Sequence, residues 1–159
     1  QLLNVWYVNS ILGTFRLEEE NNAICGLTLC PDGVPELEPL PRKVCETPLL
    51  QEAEEQLNEY FAGARREFDL PLAPKGTPFQ KAVWAEMCRI PYGETRTYGQ
   101  LAAAVGKPKA SRAVGGACHC NPIAILQPCH RVVGSTGKLT GYAYGVEMKQ
   151  YLLELEQQE

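Results

Sequence analysis

The sequence predicts a two-part chain: a small α/β unit over residues 1–72, then a mainly helical unit over residues 73–159. Three observations lead there. Three β-prone segments crowd the start of the chain, before the proline-rich stretch that runs through Pro41. Helical periodicity then begins twice, each time behind a Thr-Pro pair, at Thr47-Pro48 and Thr77-Pro78. Finally, the charge changes sign. Residues 1–72 hold five Lys/Arg against thirteen Asp/Glu, a net −8, and residues 73–159 hold ten against six, a net +4.

Leu2 to Val8 and Gly13 to Leu17 read as strands joined through Asn9-Ser10, with Ile24 to Leu29 as a third. Pro31-Asp32-Gly33 is a turn. From Thr47 the apolar residues Leu49, Leu50, Ala53, Leu57, Tyr60 and Phe61 recur at helical spacing, and Gly63 closes the helix. Residues 66–76 connect to the second part. There Phe79, Val83, Trp84, Met87 and Ile90 form the buried stripe of a helix that Pro91-Tyr92-Gly93 stops. Thr97 and Gln100 have capping-box spacing and open a short helix, Tyr98 to Ala104. Val105-Gly106-Lys107-Pro108 turns the chain into a second short helix, from Lys109 or Ala110 to about His119, which Asn121-Pro122 ends. Two short helices around a Gly-containing turn are the helix-turn-helix pattern.

Composition narrows the classes. With 159 residues, 45% hydrophobic and 21% charged, the chain is globular rather than disordered or fibrous. No apolar run approaches the roughly 18 residues of a membrane span. The start lacks a basic segment followed by an apolar core, so a signal peptide is not expected, and the missing initiator Met suggests a trimmed start. Between residues 96 and 149 the cations Arg96, Lys107, Lys109, Arg112, Arg131, Lys138 and Lys149 face only Glu147, a weak sign of a polyanionic partner. Seven cysteines cannot close into disulfides, and neither Cys25 and Cys30 nor Cys118, His119 and Cys120 have zinc-ligand spacing. Small buried thiols in a reducing compartment are the expectation.

Two segments carry chemistry. Ala110-Ser111-Arg112-Ala113-Val114-Gly115-Gly116-Ala117 puts two glycines in a helix, at a cost of about 1 kcal/mol each relative to Ala. Close helix–helix packing and close approach to a nucleic-acid groove explain that equally well. Pro128-Cys129-His130-Arg131-Val132 follows the apolar run Ile123 to Leu126, which reads as a buried strand. A thiolate is the reactive form of cysteine, and a neighbouring imidazole or cation favours it. Adjacent side chains need not touch, so an isolated Cys-His pair reads more readily as packing.

Together, Asn121-Pro122, Pro128-Cys129-His130-Arg131-Val132-Val133 and Gly141-Tyr142 resemble the O6-alkylguanine-DNA alkyltransferases, the methylated-DNA–protein-cysteine methyltransferases. The likeness extends upstream through Pro91-Tyr92-Gly93, Thr97 to Ala102 and Arg112 to Ala117, and covers roughly residues 77–156 closely. The resemblance implies a ribonuclease-H-like α/β domain followed by a winged helix-turn-helix DNA-binding domain. It implies Cys129 as alkyl acceptor, His130 as a base acting through water, and Glu156 polarising it. Asn121 would bridge the recognition helix and the cysteine segment. Tyr98 would rotate a phosphate and donate a proton to the departing guanine, and Arg112 would fill the gap left in the duplex. Ala110, Ala113 and Gly115 would lie on the DNA, while Val132, Tyr142, Ala143 and Tyr144 would line the base pocket. The expected partner is double-stranded DNA carrying O6-alkylguanine, with O4-alkylthymine as a secondary candidate. No cofactor, no metal and no membrane are expected, and the protein would be a monomer in the cytoplasm, or in the nucleus of a eukaryote.

Physical chemistry agrees with what the resemblance implies. A base modified at O6 lies inside the duplex, so it must be flipped at a cost of a few kcal/mol, which an inserted Arg partly offsets. A helix of Ala and Gly lets backbone enter the minor groove, whose degenerate code suits a protein acting at any sequence. A thioether has no built-in exit, so each molecule acts once. Three residues depart from the family pattern: Gln127 for an apolar residue, Ala143 for a small hydroxyl residue and Tyr144 for a glycine. They bear on substrate range. Other classes remain: a non-catalytic binder of alkylated DNA (which would lack Cys129), a helix-turn-helix regulator (whose recognition helix should carry polar base readers), and a cysteine hydrolase (which would turn over).

Overall fold

A computed structural model of the chain describes residues 3–137, 139 and 142–158. Leu2, Lys138 and Gly141, each used above, lie outside the described residues. The chain forms two compact units, Gln1–Pro74 and Lys75–Glu159.

In the first unit, strands β1 (Leu3–Ser10), β2 (Gly13–Glu20) and β3 (Ala23–Cys30) form an antiparallel meander, and β4 (Arg42–Val44) adds to β1 in parallel, giving the order β3-β2-β1-β4. The first hairpin turns at Ile11-Leu12 rather than at the expected Asn9-Ser10. Ser10 explains this: its hydroxyl accepts from the Leu12 N–H at 3.1 Å and donates to the Gly13 carbonyl at 2.9 Å, while Gly13 adopts φ +124°. Asn21 and Asn22, both at positive φ, make the second turn. Helix α1 (Pro48–Phe61) is capped by Thr47, whose Oγ1 accepts from the Leu50 N–H at 3.2 Å. Its Leu50, Ala53, Leu57 and Tyr60 are buried, as are Val5, Phe15, Leu17 and Leu27 of the sheet.

In the second unit, α2 (Pro78–Met87) opens on a Thr77–Gln80 capping box and α3 (Tyr98–Ala104) on the expected Thr97–Gln100 box. After the turn, α4 (Ser111–His119) buries Val114, Ala117 and Cys118, and the Trp84 indole N–H donates to the Ala117 carbonyl at 2.8 Å, tying α2 to α4. A 3-10 turn, Cys129–Arg131, leads into β6 (Val132–Val133), which runs parallel to β5 (Arg96–Thr97). The chain ends in α5 (Val146–Gln157).

Two further features differ from the sequence reading. Residues Ile123 to Leu126 are buried as expected, but they form a turn rather than a strand. Ile125 sits at φ +68°, the Leu126 N–H reaches back to the Ala124 carbonyl and the Gln127 N–H to that of Ile123, so the backbone cannot extend. Hydrophobicity marked the burial and could not distinguish a buried turn from a buried strand. Helix α5 was not foreseen, although Met148, Leu152 and Leu155 have helical spacing and are buried.

Candidate functional site

Pro128 and the turn before it deliver Cys129 into the interior, with 5% of its surface exposed. Its N–H donates to the Gln127 carbonyl at 2.8 Å. Burial pushes the Cys129 thiol above its usual range, while the Asn121 amide, the Lys149 charge, the local backbone and the Tyr142 hydroxyl each pull it down. The thiol is thus a neutral group held beside features that favour its anion.

Asn121 is braced on three sides. Its Oδ1 accepts from the Ile123 N–H at 3.1 Å and from Gln127 Nε2 at 2.8 Å, and its Nδ2 donates to the Gln127 carbonyl at 2.7 Å. Tyr142 is buried, with its pKa raised well above the phenolic value by desolvation and then by the nearby Cys129. Its hydroxyl has no hydrogen bond of good geometry among the described residues, although it lies close enough to depress the thiol.

His130 is fully buried, and its Nε2 lies 2.7 Å from Glu156 Oε2. Desolvation pushes the imidazole below its usual value, against the opposing pull of Glu156. A neutral ring bonded to a carboxylate carries its proton on Nε2, which leaves Nδ1 as a lone-pair acceptor. Nδ1 is buried and has no hydrogen-bond partner among the described residues. Glu156 also receives Arg131 in bidentate fashion, Nε to Oε1 at 2.8 Å and Nη2 to Oε2 at 3.0 Å, and Arg131 Nη1 donates to the Ile90 carbonyl at 2.7 Å. Burial alone would raise the Glu156 carboxyl; hydrogen bonds and charges from His130 and Arg131 outweigh it and bring the pKa down to about 2.

Lys149 was missed. The sequence reading counted Lys149 and Arg131 among the cations that hint at a polyanionic partner, yet both are buried. Lys149 Nζ donates to the Val132 carbonyl and sits over the Tyr98 ring, 5.9 Å from its centroid. Desolvation lowers its pKa, and Cys129 and Cys118 partly restore it. Its position seven residues before Glu156, among apolar residues at helical spacing, was the available signal.

The remaining candidates fall in two places. Val132 is fully buried and Tyr142 nearly so, Ala143 is exposed, and Tyr144 is half-buried with its ring edge-on to Tyr142 at 5.8 Å. Arg112 and Ala113 are exposed on α4, with Ala110 and Gly115 partly exposed and Tyr98 partly buried at the start of α3. A Cβ built at Gly115 or Gly116 would meet nothing within 4 Å. Close helix–helix packing therefore does not explain these glycines within the described residues; they leave the outer surface of α4 low and open.

A family model described as the 6-O-methylguanine DNA methyltransferase DNA-binding domain matches residues 78–158, and one described as its ribonuclease-like domain matches residues 5–74. The chain belongs to this family. A Methanosarcina barkeri protein named methylated-DNA–protein-cysteine methyltransferase is 61% identical over 107 residues, covering 67% of this chain and 68% of its own. The constitutive methylated-DNA–protein-cysteine methyltransferase of Bacillus subtilis is 58% identical over 112 residues, covering 70% and 68%. The crystal structure of Mycobacterium tuberculosis OGT in complex with DNA superposes with a TM-score of 0.87 at 42% identity, over 97% of this chain and 92% of that one. The fold is accordingly that of the family: a ribonuclease-like domain followed by a DNA-binding domain.

Proposed function

We propose that this 6-O-methylguanine DNA methyltransferase family member repairs double-stranded DNA carrying O6-alkylguanine, moving the alkyl group irreversibly onto its own Cys129. The observation that carries the reading is the buried Cys129 thiol, flanked by Asn121, Tyr142 and Lys149, in a segment that continues into the His130–Glu156 pair.

The reaction balances with this chain's own groups. His130, neutral and with Nδ1 free to accept, takes the thiol proton, directly or through a water, and Glu156 stabilises the imidazolium through Nε2. The Lys149 charge and the Asn121 N–H favour the thiolate. The sulfur then displaces guanine at the alkyl carbon: an S–C bond forms, the C–O6 bond breaks, and the electron pair leaves on the base. Tyr98, at the start of α3 and beneath the Lys149 charge, is assigned the proton donated to that base. Guanine departs neutral and Cys129 remains a thioether, so one molecule acts once.

Access requires base flipping. Arg112 is assigned to the space the nucleotide vacates, and Ala110, Ala113 and Gly115 to the backbone approach in the minor groove, which the open surface over Gly115 and Gly116 supports. Val132, Tyr142, Ala143 and Tyr144 are assigned to the base pocket, and O4-alkylthymine is a second candidate substrate. No described helix is long and apolar enough to cross a membrane. The proposed compartment is a reducing one, the cytoplasm or a nucleus, with which seven free thiols are in keeping. A monomer suffices, since every group invoked lies within residues 98–156.

Mass spectrometry after incubation with duplex DNA containing O6-methylguanine tests the reading. One added methyl group on the Cys129 peptide is expected. Methyl on Cys118 or Cys120, or none, overturns it.

A further inference from the structure

We infer that Gln127 is a positioning residue for the acceptor thiol: its buried side-chain amide clamps Asn121 so that one Asn121 N–H stays turned toward Cys129. This rests on the reading of Cys129 as alkyl acceptor.

A carboxamide has two acceptor positions and two donors. Both positions on Asn121 Oδ1 are taken, by the Ile123 N–H at 3.1 Å and Gln127 Nε2 at 2.8 Å. One N–H of Nδ2 is taken by the Gln127 carbonyl at 2.7 Å. A flipped amide would set its NH₂ against the Ile123 N–H and its oxygen against the Gln127 carbonyl, so the orientation is fixed. The remaining N–H is left for the thiol: Asn121 and the Cys129 backbone N–H share the Gln127 carbonyl, and the Asn121 amide pulls the thiol pKa down.

Gln127 grips both ends of this relay. Its carbonyl also accepts the Cys129 N–H at 2.8 Å, and its side chain, 3% exposed, supplies the second donor to Asn121. An apolar residue would fill the volume but leave Asn121 Oδ1 with one partner. Hydrogen bonds in series polarise one another, so the Gln127 donor strengthens the N–H offered at the far end. The Ile125 turn is what makes the grip possible, because it brings residue 127 back onto residue 121.

The test uses the full chain with Gln127→Met, Gln127→Glu, Asn121→Ala and the double variant Asn121→Ala/Gln127→Met. Carbamidomethylation of Cys129 by iodoacetamide, followed by peptide mass spectrometry across pH, reads the thiol directly, and transfer from free O6-benzylguanine reads the reaction. Gln127→Met is expected to move the midpoint for Cys129 up by about half a pH unit and slow benzyl transfer about threefold at neutral pH, the size of one net hydrogen bond. Gln127→Glu, which keeps the shape and aims a carboxylate at Asn121 Oδ1, is expected to move it further and carries the test should Gln127→Met fail to fold. The double variant should match Asn121→Ala alone, because both act through one path. A parental pH profile in a folded Gln127→Met chain, or shifts that add in the double variant, overturns the inference. Absence of methyl transfer from O6-methylguanine duplex DNA to Cys129 in the unsubstituted chain would instead overturn the acceptor reading, with the iodoacetamide profiles still deciding the role of Gln127.

Discussion

His130 and Glu156 meet at 2.7 Å with both side chains withdrawn from solvent, and the same carboxylate holds Arg131, the next residue along from the histidine. One buried anion thus fixes the tautomer of the base and neutralises the guanidinium beside it. Glu156→Gln keeps the shape but leaves Arg131 buried without a counter-charge, a change that costs about 3–5 kcal/mol. Denaturant unfolding should show that loss, and benzyl transfer measured on the remaining folded protein should fall at least tenfold. Parental stability would mean that the pair is not charged in the folded chain.

Acid should destabilise the protein in two stages. His130 has a folded pKa below its usual 6.5, so the unfolded chain binds a proton the folded one refuses, and stability is lost as pH falls through that value. Glu156 is lowered from 4.5 to about 2, so its contribution is intact above 4.5 and is lost as pH falls toward 2. Melting temperature against pH checks both. His130→Gln should flatten the upper stage, and a curve unchanged by that substitution would reject the assignment.

On α4, Gly115→Ala and Gly116→Ala meet no neighbouring atom, so each should raise stability by about 1 kcal/mol through helix propensity alone. Each should weaken duplex binding at fixed salt, because a methyl group now stands between backbone and groove. Binding overall should fall steeply as salt rises. If the alanine variants bind duplex DNA as tightly as the parent, that surface is not the one that meets DNA.

Arg112 is exposed on α4, and its proposed role in filling the vacated space can be tested with two substrates. Arg112→Ala should slow repair of O6-methylguanine in duplex DNA far more than reaction with free O6-benzylguanine, which needs no flipping. Equal losses on both substrates would assign Arg112 to the pocket or the fold.

Tyr144 stands edge-on to Tyr142, and in the proposed base pocket its ring would narrow the rim that a large adduct must pass. Excess bulk in a snug site costs about 1–3 kcal/mol, so Tyr144→Gly should raise the rate with O6-benzylguanine about tenfold and leave the methyl rate in DNA nearly unchanged. A variant that loses benzylguanine reactivity would show instead that the ring stacks on the adduct and helps it.

The helix starts at Thr47, Thr77 and Thr97 were the most legible part of the fold, because local hydrogen bonds that need no tertiary context announce them, whereas α4 and α5 carry no side-chain cap. The first hairpin was misplaced by two residues, since Ser10 was given to the turn instead of to the strand it terminates. At the site, the short motif around Cys129 was visible as chemistry, but its surroundings were not. Lys149 reads as a surface cation in any composition count, and only the packing of α5 buries it. Gln127 stood out as a departure from pattern, with nothing in the sequence to say which group it would hold. Glu156 came from the resemblance, and its partner Arg131 was credited to the wrong surface.

Lys149 and Glu156 are seven residues apart on α5, two helical turns, and so share one stripe. Inserting or deleting a single residue between them would swing one away from the other by about 100°. The segment joining them therefore has a fixed length. By contrast, residues 134–137 form an exposed turn closed by the Gly137 N–H on the Gly134 carbonyl, so additions there should be tolerated. A library of one-residue insertions walked along the last third of the chain would draw that boundary directly.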